Sequence, residues 1–207
     1  MSNKIIYQIE FFSYWHAGSG LAGSTYADSV VNKNQDGLPI IPGKTIKGLL
    51  REAAETINGF DKNLVSDIFI EEIFGKRLED GKKDMTSEEK ASYNDKILAG
   101  KTNNYGEGKA FFTNAGLSKN LTTSILNTAV VNDLYHVISS TKIDENGQVK
   151  DGSLRQLEVT IPITMYGSIE QFPDMKYKDE MENCFKWIKQ LGQNRNRGLG
   201  KCKFSIV

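Results

Sequence analysis

Gly37-Leu-Pro-Ile-Ile-Pro-Gly-Lys-Thr-Ile-Lys-Gly-Leu-Leu-Arg51 passes from a rigid extended segment into a helix at a single glycine. Pro39 and Pro42 fix their own φ and hold the residues before them extended, and Gly43 permits a turn closed to most side chains. The next peptide N–H groups are expected to be free, and a helix start of this kind suits phosphate. Lys44, Lys47 and Arg51 recur at i, i+3 and i+7 on one face, while Ile46, Leu49, Leu50, Ala53, Ala54 and Ile57 recur at helical spacing on the other. One face is expected to pack inward and the other to meet a polyanion. A basic stripe alone reads first as a solvated helix face; the proline–glycine lead-in is what favours a site.

Composition bounds the partners. The 207 residues, 39% of them apolar, are enough to bury a core and fit one domain with insertions. Lysine plus arginine (26) balances aspartate plus glutamate (26), so any basic surface must be local. Cys184 and Cys202 lie far apart without CxxC spacing or a signal-like N-terminus, which argues for a reducing, cytoplasmic setting. With two histidines the soft ligands for a zinc site are too few, and no run of eighteen apolar residues would span a membrane.

Outward from the opening stretch, residues 4–15 are rich in β-branched and aromatic types and read as a first strand. The glycine-rich stretch from Ala17 and the residues on to Asp36 read as a long exposed loop. Leu64, Val65, Ile68, Phe69 and Ile73 suggest a second helix, with Asp61 as N-cap and Gly75 as stop. The polar segment at about 76–108 reads as an insertion, Lys109–Ala115 as a strand, and Leu121–Val137 is open between strand and helix. Two extended runs over Ile138–Ile169 surround the turn signal Asn146-Gly147, the second interrupted at Pro162 by a bend or bulge. Met181, Cys184, Phe185, Ile188 and Leu191 form a helical stripe capped by Gly192, and Lys201–Val207 alternates as a half-buried strand. This order predicts an α+β sandwich with helices packed on one antiparallel sheet.

Between that helix and strand lies Gln193-Asn-Arg-Asn-Arg-Gly-Leu-Gly200, where arginine forks and backbone N–H groups can approach the same phosphates. It departs from both the Walker and the dinucleotide glycine patterns, and its bland reading is a tight helix–strand connection. Together, however, the glycines after the first strand, the Leu38–Arg51 segment and Asn194-Arg-Asn-Arg-Gly-Leu-Gly-Lys-Cys202 resemble the RAMP superfamily of CRISPR systems, in particular the backbone subunits of type III effector complexes. Ile143-Asp144 through Asp151-Gly-Ser-Leu-Arg155 resembles that family's thumb, and the 76–108 insertion matches none of its pattern.

The resemblance implies one domain over 1–207: a modified RNA-recognition-like ferredoxin fold, the palm, with a long β-hairpin thumb at about 127–169. It implies a subunit of an antiviral effector that stacks with copies of itself and other subunits along a CRISPR guide RNA. The implied RNA contacts are His16, Gly43, Lys44, Thr45, Lys47, Arg51, Arg195, Arg197, Gly198 and Gly200. It further implies an endoribonuclease that cuts complementary target RNA at regular intervals, with a divalent cation, Mg2+, as cofactor. Asp28, eleven positions before Pro39, stands where the family's catalytic aspartate belongs and is also the candidate metal ligand. Without the resemblance Asp28 is a solvated loop carboxylate, Asp36 is its nearest competitor though it reads as a turn, and His16 is equally a capped strand-end histidine. The alternative functions are a non-catalytic structural or filament-end cap subunit and a small guide-processing endoribonuclease.

Overall fold

The computed structural model describes residues 3–20, 27–76, 86 and 107–207. Its frame is a four-stranded antiparallel sheet. Strand β1 (Ile5–Phe11) runs between β5 (Thr164–Glu170) and β6 (Cys202–Ile206), and the short β2 (Phe111–Phe112) flanks β5, giving the order β2-β5-β1-β6. Helix α1 (Gly43–Phe60) connects β1 towards β2, and α4 (Lys178–Trp187) connects β5 to β6. The βαββαβ order with this strand arrangement is the ferredoxin-like split βαβ fold expected.

The alternation of β1 explains its central place. Ile5, Tyr7, Ile9 and Phe11 are buried while Ile6 and Glu10 are exposed, so one face of the sheet carries the apolar load. That face meets the stripe of α1 (Ile46, Leu50, Ala53, Ala54, Ile57) and that of α4 (Met181, Cys184, Phe185). Aromatic packing joins the layers: the Phe185 ring lies 5.5 Å from Tyr7 and 5.6 Å from Phe204.

Several boundaries differ from expectation. Helix α2 spans Asp67–Phe74 with Ser66, not Asp61, as N-cap, the Ser66 hydroxyl accepting from the Phe69 N–H at 3.2 Å. Leu121–Val137 divides into α3 (Lys119–Thr128), a 3-10 turn (Val131–Leu134) and the start of β3 (Tyr135–Ser140). The interruption at Pro162 is a change of sheet: β4 (Arg155–Thr160) pairs with β3 in a separate hairpin, whereas β5 belongs to the main sheet. The projecting hairpin therefore covers less than the 127–169 expected. Helix α4 ends at Trp187 rather than at Gly192, because residues 189–191 are extended against the start of β6, with Leu191 N–H bonded to Gly200 and Cys202 N–H to Lys189. Apart from Lys76, Thr86, Glu107 and Gly108, the expected insertion lies outside the described residues.

Candidate nucleic-acid interface

The two glycine-bearing motifs, more than a hundred residues apart, meet at one cleft. Leu191 N–H donates to the Gly200 carbonyl at 2.9 Å and closes the 192–199 loop. Gly200 N–H donates to Tyr14 (2.7 Å) and Gln193 N–H to His16 (2.9 Å), which seats the loop on the chain leaving β1. Gly200 has φ +71°, and a Cβ there would lie 2.0 Å from the Leu191 carbonyl oxygen, so close backbone approach as well as conformation demands glycine. Lys44, Thr45 and Gly48 of α1 face Gly18, Gln193 and Arg195 across a cleft of about 370 Å³. Arg195 and Arg197 stand exposed on the 3-10 turn Arg195–Arg197, and Gly198 follows them at the surface.

The basic stripe does not stay on one face. Lys44 lies in the cleft, but Lys47 is half-buried 6.0 Å over the Phe112 ring; burial, then Arg51, lowers its pKa against an opposing effect of Glu107. Arg51 turns to α2, donating to the Gly75 carbonyl (2.8 Å), to that of Phe74 (3.4 Å) and to the Glu55 carboxylate (2.8 Å). It caps the end of α2 and is committed within the fold.

Nor is the helix start an open backbone cradle. Gly43 N–H donates to Asn114 Oδ1 (2.9 Å), and the Thr45 and Ile46 N–H groups both reach the Pro42 carbonyl. Gly43 is buried because a Cβ would come within 2.0 Å of the Phe112 carbonyl oxygen. Its role in the structure is to let α1 approach β2.

Asp28 lies at the outer edge of the hairpin. Its N–H donates to the Gln156 carbonyl (2.9 Å), and its Oδ2 accepts from the Gln156 N–H (2.7 Å), while the residue remains exposed. Asp36 instead forms the expected turn, its N–H donating to Asn34 Oδ1 at 3.0 Å. The described parts of the loop expected to be exposed are fastened on both sides, with Ser19 bonded to Val30, Asn32 to Ala17 and Glu158 N–H to the Ser29 carbonyl.

His16 joins the two regions from inside. It is 0% exposed, its Nδ1 lies 2.6 Å from the Glu158 carbonyl oxygen and its Nε2 3.2 Å from Ser29 Oγ. A carbonyl can only accept, so Nδ1 carries a proton, and Nε2 is engaged by the Ser29 hydroxyl. With both ring nitrogens engaged, His16 is the capped histidine, packed between the Ser29 strip and the Gln193 loop.

Sequence reasoning missed the groups behind Asp28. Glu158, 1% exposed, binds Lys33 Nζ through Oε1 (2.8 Å) and the Val31 N–H through Oε2 (3.0 Å). Lys33 Nζ also sits 3.8 Å over the Tyr135 ring, and these groups border a cleft of about 740 Å³ with Asn32 and Asn132. No local pattern marks this cluster, because its members are 125 residues apart in the chain.

A family model described as the RAMP superfamily matches residues 8–203. The chain belongs to the RAMP superfamily. Its fold is shared with a chain of the "Cryo-EM structure of the Type III-B Cmr-beta bound to cognate target RNA", at a TM-score of 0.63 and 12% identity, covering 99% of this chain and 97% of that one. A chain of the "Type III-B Cmr-beta Cryo-EM structure of the Apo state" aligns with a TM-score of 0.64 at 11% identity, covering 99% and 97%. No curated protein sequence matches. Among the described residues no helix is long and apolar enough to cross a membrane, and no group of three or more His, Cys, Asp or Glu is placed to hold a metal ion. Asp28 would therefore offer a metal a single carboxylate. Mg2+ bound by one or two carboxylates completes its shell with water and phosphate oxygen, so this donor set fits an ion held jointly with RNA.

Proposed function

We propose that this RAMP protein is a guide-RNA-binding backbone subunit of a type III CRISPR effector complex, assembled with copies of itself and other subunits, and that it cuts complementary target RNA through Asp28. The observation that carries the proposal is the convergence of the Lys44 helix start and the Arg195 loop at one cleft, connected through His16 and Ser29 to the Asp28 strip. The Cmr-beta chain that shares this fold comes from a structure bound to cognate target RNA, which supports RNA as the ligand.

Phosphates of the guide would meet Lys44, Arg195 and Arg197, with Thr45 and the backbone around Gly198 as further polar contacts. Asp28 keeps Oδ2 on the Gln156 N–H, an anchor that holds one carboxylate oxygen of an exposed residue and leaves Oδ1 for a substrate. A target ribose held there would lose its 2′-hydroxyl proton to Oδ1 as the 2′-oxygen bonds to the adjacent phosphorus, closing a 2′,3′-cyclic phosphate while the P–O5′ bond breaks and the leaving 5′-oxygen takes a proton from water. If Asp28 instead acts as a ligand to a divalent cation, the ion would supply charge stabilisation at the reacting phosphate.

In the assembled complex, Asp28→Ala is expected to slow cleavage of a labelled complementary RNA by at least about a hundred-fold while guide binding persists. Unchanged cleavage would remove the catalytic role and leave a structural subunit. For binding, Lys44→Ala or Arg197→Ala should weaken RNA of every sequence and reduce the salt slope by about 0.7 per lost phosphate contact. A loss confined to particular sequences would contradict a phosphate role for those side chains.

A further inference from the structure

A second basic surface begins where the glycine cleft ends. Arg195 borders that cleft and also a smaller one of about 220 Å³ against Trp187 and Lys189. Lys189 in turn borders a third cleft, of about 610 Å³, whose rim carries Lys186, Lys201 and Lys203 and whose wall includes Phe12. Neighbouring clefts adjoin through shared lining residues: Leu49, Glu52 and Arg195 between the first two, and Ile188, Lys189 and Gln190 between the last two.

Its chemistry is unlike the rest of the molecule. The whole chain has zero formal net charge, yet six cations (Lys44, Lys186, Lys189, Arg195, Lys201 and Lys203) gather along this track, and Glu52 is the only acid lining it among the described residues. Lys186 has Glu182 at 3.5 Å, and Glu10 stands opposite Lys203 in the strand ladder. No ion pair engages Lys189, Arg195, Lys201 or Lys203 within the described residues. Two aromatic rings stand open beside these charges: Trp187 is 50% exposed and Phe12 51%. Trp187 is braced by Phe60, whose ring centre is 6.0 Å away, so one broad indole face is held in place at the end of α4.

Cations at intervals with open aromatic faces between them are what single-stranded nucleic acid requires: phosphates pair with the cations and bases stack on the rings. We infer that the trough from Arg195 past Trp187 to Lys203 and Phe12 is a second single-stranded RNA-binding segment continuous with the glycine cleft, with Trp187 as a base-stacking platform. An acidic protein segment would suit the lysines, but it would not account for continuity with the cleft assigned to RNA phosphate. The inference rests on the RNA-binding reading above. Beyond Arg195 and Lys201 it adds a footprint that the motif residues do not outline.

The chain contains two tryptophans, and Trp15 is fully buried against Phe11, so tryptophan emission reports on Trp187 when RNA stacks there. The full-length protein is titrated at low salt with a dye-labelled, mixed-sequence single-stranded RNA of about 12 nucleotides, within the span of such sites. RNA should quench the emission. Trp187→Ala should weaken binding about ten-fold, and Trp187→Phe, which keeps an aromatic face, should retain most of it. Lys189→Ala and Lys203→Ala should each lower the salt slope by about 0.7. If these variants bind like the parent while Lys44→Ala is weakened, RNA stops at the glycine cleft and the inference is overturned, but RNA binding stands. If Lys44→Ala is also without effect, the RNA-binding reading falls with it. Should Trp187→Ala spare RNA binding yet release a protein subunit from the assembled complex, the trough is a protein-docking surface and the inference is equally overturned.

Discussion

Glu158 fastens the strip that follows Asp28, through Ser29, Val31 and Lys33. Its carboxylate faces inward from β4, where a lone charge would be costly, and it is tolerated because Lys33 and the Val31 N–H satisfy both oxygens. Tyr135 encloses the pair, its hydroxyl donating to the Gly37 carbonyl (2.5 Å); burial first, and then the Glu158 charge, raise its pKa. The cluster pins 29–37 to the hairpin. Glu158→Ala leaves the Val31 N–H without its acceptor and is expected to cost about 2 kcal/mol in denaturant unfolding, moderated because Lys33 is one-third exposed and can turn to water. Glu158→Gln keeps an acceptor and should recover part of that loss. If Asp28 acts as proposed, Glu158→Ala should also slow target cleavage in the assembled complex while the Lys44 cleft still binds guide. Nothing in Arg155-Gln-Leu-Glu-Val-Thr160 announces this, since a polar residue in a strand reads as outward-facing and its partner is remote in sequence. Asp28, by contrast, was singled out only through the RAMP resemblance, by its place eleven positions before Pro39.

At the level of elements, local chemistry decided what could be read. Helix α1 was legible because its apolar stripe and its proline–glycine start both lie within the chain segment they specify. The fate of its basic face was not, because whether Arg51 meets solvent or the end of α2 depends on a helix that packs beside it. The end of α4 was misplaced for a similar reason: Ile188 and Leu191 continue the helical spacing, but backbone pairing with β6 takes residues 189–191 out of the helix. Gly43 was read as permitting a turn closed to most side chains, yet its place in the helix makes lost space the penalty. Gly43→Ala should push α1 from β2 and cost about 1–3 kcal/mol, the range for overpacking a filled site. Gly48→Ala, on the same helix with no atom within 4 Å of its added Cβ, should be neutral or slightly stabilising by thermal unfolding. Equal destabilisation of both would mean that glycine matters for chain flexibility rather than for contact with β2.

Across the whole molecule, the sequence of periodicities pointed to an α+β sandwich and the RAMP resemblance to its ferredoxin-like form, whereas the trough and the Glu158 cluster exist only once distant strands are side by side. One consequence of that closure belongs to the core as a whole. Cys184 beneath α4 and Cys202 on β6 are both buried, and burial pushes each thiol up to about 12 from an ordinary 9.0. Tyr7 in the same core is also raised by burial. In the unfolded chain these thiols ionise near their ordinary value, but in the folded chain they stay protonated, so above pH 9 the unfolded state binds fewer protons. Stability must then fall as pH rises from about 9 towards 12, by about 1.4 kcal/mol per thiol at one pH unit above the ordinary value. Lys47, whose pKa is lowered, works in the opposite direction, and its half-buried position makes it the weaker contributor. Denaturant midpoints measured across this alkaline range should therefore decline, and a Cys184→Ala, Cys202→Ala double variant should decline less steeply. The same burial predicts that thiol reagents at mildly alkaline pH label neither cysteine until denaturant is added. Rapid labelling of the folded protein would show that the layer between α4 and β6 opens far more often than its packing implies.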